Sequence, residues 1–253
     1  MQYQTNESLS NQENKESKIP KILLMGKAGV GKTSMRAIIF ANCAPRDTFV
    51  LGWTHDVLES RLRFMGNKML NLLDCGGQNE FIRQYLDSKR EQIFSNVEIL
   101  VFVITVEKPK GDDKDLHYFE ECVEALEEYS KDAKVFVLIH KMDLIADHRK
   151  QSVFEKRQKE VMEKSKSMKN VTCFPTSIWE VSLYKAWTKI VSTLVSDMKT
   201  LELNLEKLAI ACNAEEVILF EKSTFLLTSH YSKQKINDDQ RYSLFFSLIF
   251  KSF

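Results

Sequence analysis

Lys21-Ile22-Leu23-Leu24-Met25, followed at once by Gly26-Lys27-Ala28-Gly29-Val30-Gly31-Lys32-Thr33, is the stretch that decides the fold. A short apolar run bounded by a glycine turn reads as a strand buried on both faces. The segment from Thr33 to Cys43 reads as a helix. The pattern between them, G-x-x-x-x-G-K-[ST], is a phosphate-binding loop when it joins a strand to a helix. Its glycines let the backbone turn with N–H groups facing inward, and the helix presents its positive end to the same anion. In this reading residues Gly26 to Ser34 (Gly26, Lys27, Ala28, Gly29, Val30, Gly31, Lys32, Thr33, Ser34) hold the phosphates. Lys32 reaches the β- and γ-phosphates, and the Thr33 hydroxyl coordinates Mg²⁺.

Outward from this loop, three more segments read as strands: Met69 to Leu73, Ile99 to Val106, and Val135 to Ile139. Their hydrophobicity is continuous apart from Asn71 in the first, which suits a sheet covered on both faces by the helices expected at Asn79–Phe94, Leu116–Tyr129 and Lys150–Ser167. The core is therefore an α/β, mostly parallel sheet. Polar groups stand at the ends of these strands, where open α/β sheets bind their ligands.

At one such end lies Asp74-Cys75-Gly76-Gly77-Gln78. Asp74 is placed to hold a water of the Mg²⁺ shell, Gly77 to offer its N–H to the γ-phosphate, and Gln78 to orient the attacking water. A threonine from the segment between the first helix and this motif must close over the γ-phosphate and reach Mg²⁺. Thr48 and Thr54 are both available, and Thr54 is preferred because it lies nearer the following strand.

At another end, His140-Lys141-Met142-Asp143 reads the base. Guanine offers paired donors where adenine presents an acceptor, and a carboxylate can only accept, so Asp143 selects guanine. Lys141 can lay its stem along the base plane, and His140 can donate a ring N–H to the guanine N7. An isolated K-x-D is usually a solvated turn; beside a phosphate loop and after a buried strand it is not. A strand at Val171–Pro175 leads into Thr176-Ser177-Ile178, whose backbone N–H groups at Ser177 and Ile178 can meet the guanine O6.

Composition narrows the class. The 253 residues carry 36 Lys+Arg and 35 Asp+Glu, a net charge of +1, so no bulk electrostatic case exists for nucleic acid or anionic lipid as the main partner. The five cysteines are scattered and show no C-x-x-C pair, which suggests neither a disulfide framework nor a zinc site and fits a reducing, cytoplasmic setting. Residues 1–18 are polar and read as a disordered tail rather than a secretory signal. The run Ile99–Ile104 is far short of a membrane span, and neither Gln2 nor the ending Lys251-Ser252-Phe253 encodes a lipid anchor, so direct membrane insertion is not expected.

From Leu183 the apolar residues recur at near-heptad spacing through Leu208, which predicts one long amphipathic helix whose second half outruns the sheet and links or dimerises. Val217–Phe220 and Phe225–Thr228 then read as a hairpin around Glu221–Thr224. The expected organisation is a tail (1–18), a nucleotide-binding domain (19–181), and a long helix with a partial second domain (182–253).

Taken together, Lys21–Lys27, Lys32-Thr33-Ser34-Met35-Arg36, Ile39–Asn42, Asp74–Gln78, His140–Leu144, Thr176–Trp179 and Leu183–Trp187 resemble the Ras superfamily, and more closely the A/B class of the Rag GTPases. The resemblance covers about residues 20 to 230. It implies a Ras-like domain with a mostly parallel six-stranded sheet, helices on both faces, and a C-terminal roadblock-like segment that is shortened here. It also implies GTP or GDP with Mg²⁺ as the ligand and hydrolysis that is slow without a GTPase-activating protein. The expected partner is a C/D-class Rag GTPase, the pair signalling amino-acid sufficiency to the target-of-rapamycin kinase complex from a scaffold on the lysosomal or vacuolar surface. His140, where Ras proteins have Asn, matches the Rag pattern, and Gln78 favours the A/B class. A different class of function, a nucleotide-dependent scaffold whose hydrolysis is incidental, fits the same motifs.

Overall fold

The computed structural model describes residues 19–64, 68–107, 113–165, 168, 170–195, 197–234 and 241–242. The tail expected over 1–18 and the apolar end after Tyr242 lie outside the described residues.

Six strands form one sheet: β1 (Lys21–Met25), β2 (Val57–Phe64), β3 (Lys68–Cys75), β4 (Val97–Thr105), β5 (Lys134–His140) and β6 (Val171–Thr176). They lie in the order β2-β3-β1-β4-β5-β6. All neighbours are parallel except β2 and β3, which pair antiparallel from Val57↔Cys75 to Phe64↔Lys68. Alternation along each strand divides the core in two. Leu23 and Met25 of β1, with Leu100, Phe102 and Ile104 of β4, face helices α2 (Asn79–Leu86), α3 (Arg90–Phe94), α4 (Lys114–Tyr129) and α5 (Asp147–Lys164). Ile22 and Leu24, with Ile99, Val101 and Val103, face α1 (Lys32–Ala41) and α6 (Ser182–Ser192). Both faces are dry, which is why these strands read as unbroken apolar runs.

Three expectations are corrected. The helix expected over Asn79–Phe94 is two, α2 and α3, broken at Asp87, whose φ of −108° and ψ of −92° leave the helical region. The long helix expected from Leu183 is also two. α6 ends at Ser192 and packs Leu183, Trp187 and Ile190 into the sheet core, while α7 (Met198–Ala211) restarts at Asp197, whose carboxylate accepts from the Thr200 N–H at 3.4 Å. The hairpin pairs β7 (Glu216–Phe220) with β8 (Leu227–Ser232), so its second strand starts two residues later than expected and runs further. α7 packs on this hairpin.

Candidate functional site

The loop after β1 is held in a left-handed geometry, with φ of 136°, 77° and 103° at Gly26, Gly29 and Gly31. Gly31 precedes α1 without any side-chain cap, so the first-turn amides remain for an external anion. Lys32 is 6% exposed and folds back across the loop, donating to the carbonyls of Gly26 at 2.7 Å and Lys27 at 2.9 Å. Burial pulls its ammonium down to about 8, against the attraction of Asp74. The Lys27 side chain instead pairs with Asp115 of α4 at 3.0 Å, and the Val30 side chain enters the core, so both can offer a ligand only backbone. A cavity of about 240 Å³ opens over this loop, lined by Ala28, Gly29, Thr33 and Ser34 on one side and Thr54, Gly77 and Gln78 on the other.

Behind the cavity, three oxygen donors expected from separate parts of the chain come together. The Thr33 and Thr54 hydroxyls are 2.7 Å apart, and Asp74 Oδ2 accepts from Thr33 at 3.2 Å and lies 3.5 Å from Thr54. Thr48 is elsewhere: its hydroxyl donates to the Pro45 carbonyl at 2.8 Å within its own turn. Asp74 is fully buried and its other oxygen, Oδ1, has no partner among the described residues. An unpartnered buried carboxylate oxygen beside two hydroxyls suits a hard cation such as Mg²⁺, which binds oxygen and keeps part of its water shell. Burial raises the Asp74 pKa, and the charges of Lys32 and Arg36 oppose the rise.

Gly77 lies directly against the phosphate loop. Its carbonyl accepts from the Ala28 N–H at 2.8 Å. A Cβ at Gly77 would sit 2.3 Å from Ala28 N and from Lys27 C. Gln78 directly precedes α2 in extended conformation, with its Oε1 buried and unpartnered among the described residues.

On the base side, the His140 ring is 2% exposed, with Nδ1 2.9 Å from the Thr176 hydroxyl. The opposite edge of the ring abuts Gly31, where an added Cβ would lie 3.0 Å from Nε2. Burial, with Lys141 adding to it, holds the imidazole down to about 4, so the ring is neutral. Lys141 adopts φ 64° and donates to the Gly29 carbonyl at 2.9 Å, tying the base motif to the phosphate loop. Ser177 donates its hydroxyl to Asp143 Oδ1 at 2.5 Å and accepts from the Trp179 N–H at 3.1 Å. Its own N–H is taken by the Ser182 hydroxyl at 3.1 Å, which leaves Ile178 the better placed of the two expected amides.

The sequence model of the Gtr1/RagA G protein conserved region matches residues 21–249. The chain belongs to this family. It is 47% identical over 229 residues to Ras-related GTP-binding protein A of Dictyostelium discoideum, covering 90% of this chain and 75% of that one. It is 48% identical over 214 residues to the GTP-binding protein gtr1 of Schizosaccharomyces pombe, covering 85% and 69%. Identity falls to 25% over 212 residues with Ras-related GTP-binding protein C of Homo sapiens, covering 81% and 52%, which sets the chain on the A/B side of the family. Among solved structures, translation elongation factor SelB of Methanococcus maripaludis superposes with a TM-score of 0.50 at 16% identity, covering 71% of this chain and 34% of that one, a likeness of fold.

In this Gtr1/RagA domain the structure adds residues to which the motif reading gave no role. Arg36 donates its Nε to Asp74 Oδ2 at 3.2 Å. Tyr85, fully buried, accepts the Gly76 N–H at 3.1 Å, and the Asp56 carbonyl accepts the same N–H at 2.7 Å. Lys89 donates to Asp56 Oδ2 at 2.6 Å. The Thr54 segment and the Gly76-Gly77-Gln78 turn are thus fastened to each other. Arg36 was legible as a cation one helical turn beyond Thr33; the Tyr85 and Asp56 contacts carry no sequence signal. Cys75 and Cys173 are buried in the core, their thiols pushed up to about 12 by that burial.

Proposed function

We propose that this chain is a guanine-nucleotide switch that binds GTP and GDP with Mg²⁺ and hydrolyses GTP slowly on its own. The observation that carries the reading is the meeting of Thr33, Thr54 and Asp74 at the mouth of the phosphate loop, 21 and 41 positions apart in sequence from Thr33. Thr54 lies on the segment that must sense a third phosphate, and the Asp56 and Tyr85 contacts join that segment to Gln78. Lys32 and the loop amides hold the phosphates. Thr33, Thr54 and, through water, Asp74 would hold Mg²⁺, which supplies charge neutralisation at the phosphates. Asp143, fixed by Ser177, accepts from the guanine donors; Lys141 and the neutral His140 brace the base motif against the loop. Gln78 orients the attacking water. Arg36 is engaged by Asp74 and so is not offered to the γ-phosphate, and acceleration falls to an activating protein.

The experiment is a pair of titrations with fluorescent guanine and adenine nucleotides followed by single-turnover hydrolysis. Guanine preference with a slow basal rate supports the switch. Gln78→Leu keeps GTP binding and loses hydrolysis stimulated by the activating protein; unchanged stimulated turnover would remove Gln78 from the mechanism.

The partnership is part of the same proposal. The exposed apolar residues of α7 and the 25% identity to the C-type relatives support pairing with a C/D-class Rag chain. Among the described residues no helix is long and apolar enough to cross a membrane. Recruitment to a lysosomal or vacuolar scaffold, and signalling to the target-of-rapamycin complex, then proceed through partners. The scaffold reading, with hydrolysis incidental, draws support from Phe49, Val50 and Trp53, each at least 80% exposed on the segment that carries Thr54. Stimulated single-turnover hydrolysis separates the two.

A further inference from the structure

Arg36 lies one turn beyond Thr33 on α1, and its Nε is bound to the same Asp74 oxygen, Oδ2, that takes the Thr33 hydroxyl. The guanidinium occupies one side of the carboxylate and leaves the buried, unpartnered Oδ1 as the acceptor for a metal shell. We propose that Arg36 is a positioning residue that fixes the Asp74 carboxylate and, as a built-in counter-charge, weakens the protein's own hold on the divalent cation, so that Mg²⁺ is kept mainly by the phosphates of the bound nucleotide. This rests on reading the site as one for a Mg²⁺ nucleotide.

Charge at short range sets the balance. Asp74 brings one negative charge, while Lys32 and Arg36 bring two positive ones. A protein wall of that sign favours the polyanion over the dication. Asp74 is fully buried and the Arg36 side chain only 22% exposed, so salt screens the pair poorly. Hard cations are selected by the charge and number of their oxygen ligands, and a carboxylate shared with a guanidinium offers less of both. Among the described residues no group of three or more His, Cys, Asp or Glu side chains stands ready to hold a metal, so no acidic cluster compensates. Because an arginine stays protonated throughout the working range, this is a fixed setting rather than a pH switch.

The test uses the full chain, with its partner chain if the two purify together, loaded with a fluorescent GDP. The dissociation rate into excess unlabelled GDP is followed across free Mg²⁺ concentrations, giving the Mg²⁺ concentration that half-maximally slows release. In Arg36→Met and Arg36→Gln that concentration falls about tenfold, while Arg36→Lys, which keeps the charge, stays within threefold of the parent. If the Met variant does not fold, the Gln and Lys variants carry the comparison. A neutral variant whose Mg²⁺ midpoint is unmoved or raised overturns the inference while leaving nucleotide binding intact. A parent chain that retains no guanine nucleotide at any Mg²⁺ concentration overturns the nucleotide reading, and this inference with it.

Discussion

The Thr54 hydroxyl lies 2.7 Å from the Thr33 hydroxyl, and Asp74 Oδ2 reaches both. Thr33 is fixed to the rigid start of α1, whereas Thr54 stands on an irregular segment between Leu51 and β2. The two hydroxyls thus meet from backbones of different kinds, one in a helix and one in an irregular segment.

That asymmetry makes the two hydroxyls separable. Thr33→Ala lowers affinity for GDP and for a non-hydrolysable GTP analogue alike, by about tenfold or more, because a hydroxyl at the loop serves both. Thr54→Ala lowers affinity for the GTP analogue by about tenfold, some 1.4 kcal/mol, and leaves GDP within twofold. Fluorescent-nucleotide titrations at fixed Mg²⁺ decide it; equal losses for both nucleotides in Thr54→Ala would show that Thr54 does not sense the third phosphate.

Gly77 is required by contact rather than by conformation. A methyl group there would stand 2.3 Å from the Ala28 N and Lys27 C atoms, both backbone, so the turn must move off the loop. Gly77→Ala is expected to cost about 1–3 kcal/mol of folding stability, the usual penalty for overpacking, and to lose the Ala28 N–H hydrogen bond. Denaturant unfolding measures the cost, and a change under 0.5 kcal/mol would contradict the close approach.

What could be read from the residues, and what could not, follows from where each segment packs. Strands β1, β4 and β5 were legible because both faces are dry. β2 was not, because it lacks a continuous apolar run: on this edge strand, paired only to β3, exposed Glu59, Arg61 and Arg63 alternate with Ser60, Leu62 and Phe64. The break between α6 and α7 was hidden because Leu194 and Leu201 keep helical spacing across it, and periodicity cannot register that the chain turns from the main sheet to the hairpin. Asp197 was the available signal, a capping residue just before the restart. In the candidate site, the Gly26–Thr33 loop and the His140–Asp143 turn were legible as motifs because particular residues at fixed spacing define them. Tyr85 and Asp56 act through a long-range approach that only the fold creates.

His140 gives a signed pH prediction. Burial, reinforced by Lys141, holds its folded value at about 4, below the ordinary 6.5 it takes in the unfolded chain. Between those values the unfolded chain binds the extra proton, so stability rises with pH and is lost on acidification, at about 1.4 kcal/mol per unit. The raised carboxyl of Asp74 contributes a slope of opposite sign, so the comparison must be with a variant rather than with zero. Moving from pH 7 to pH 5, the parent loses about 2 kcal/mol more than His140→Asn in denaturant unfolding. Equal losses would mean that the ring is not held neutral.

The outer face of α7 carries the last prediction. Leu205 and Ala209 are buried, while Leu203 and Ile210, seven residues apart and so on one stripe, are 55% and 64% exposed. Two large aliphatic groups aligned on a helix whose other side already packs on β7 and β8 offer a surface for a second chain, and burying them there contributes about 1.5–3 kcal/mol each. Replacing both with Glu weakens pairing with a C/D-class chain by about a hundredfold or more. Because α7 lines neither the phosphate loop nor the base motif, GDP affinity stays unchanged. Copurification followed by native mass spectrometry reads the first effect and nucleotide titration the second. Undiminished pairing in the double variant would place the partner on another surface, and a coupled loss of GDP would show that α7 supports the nucleotide domain itself.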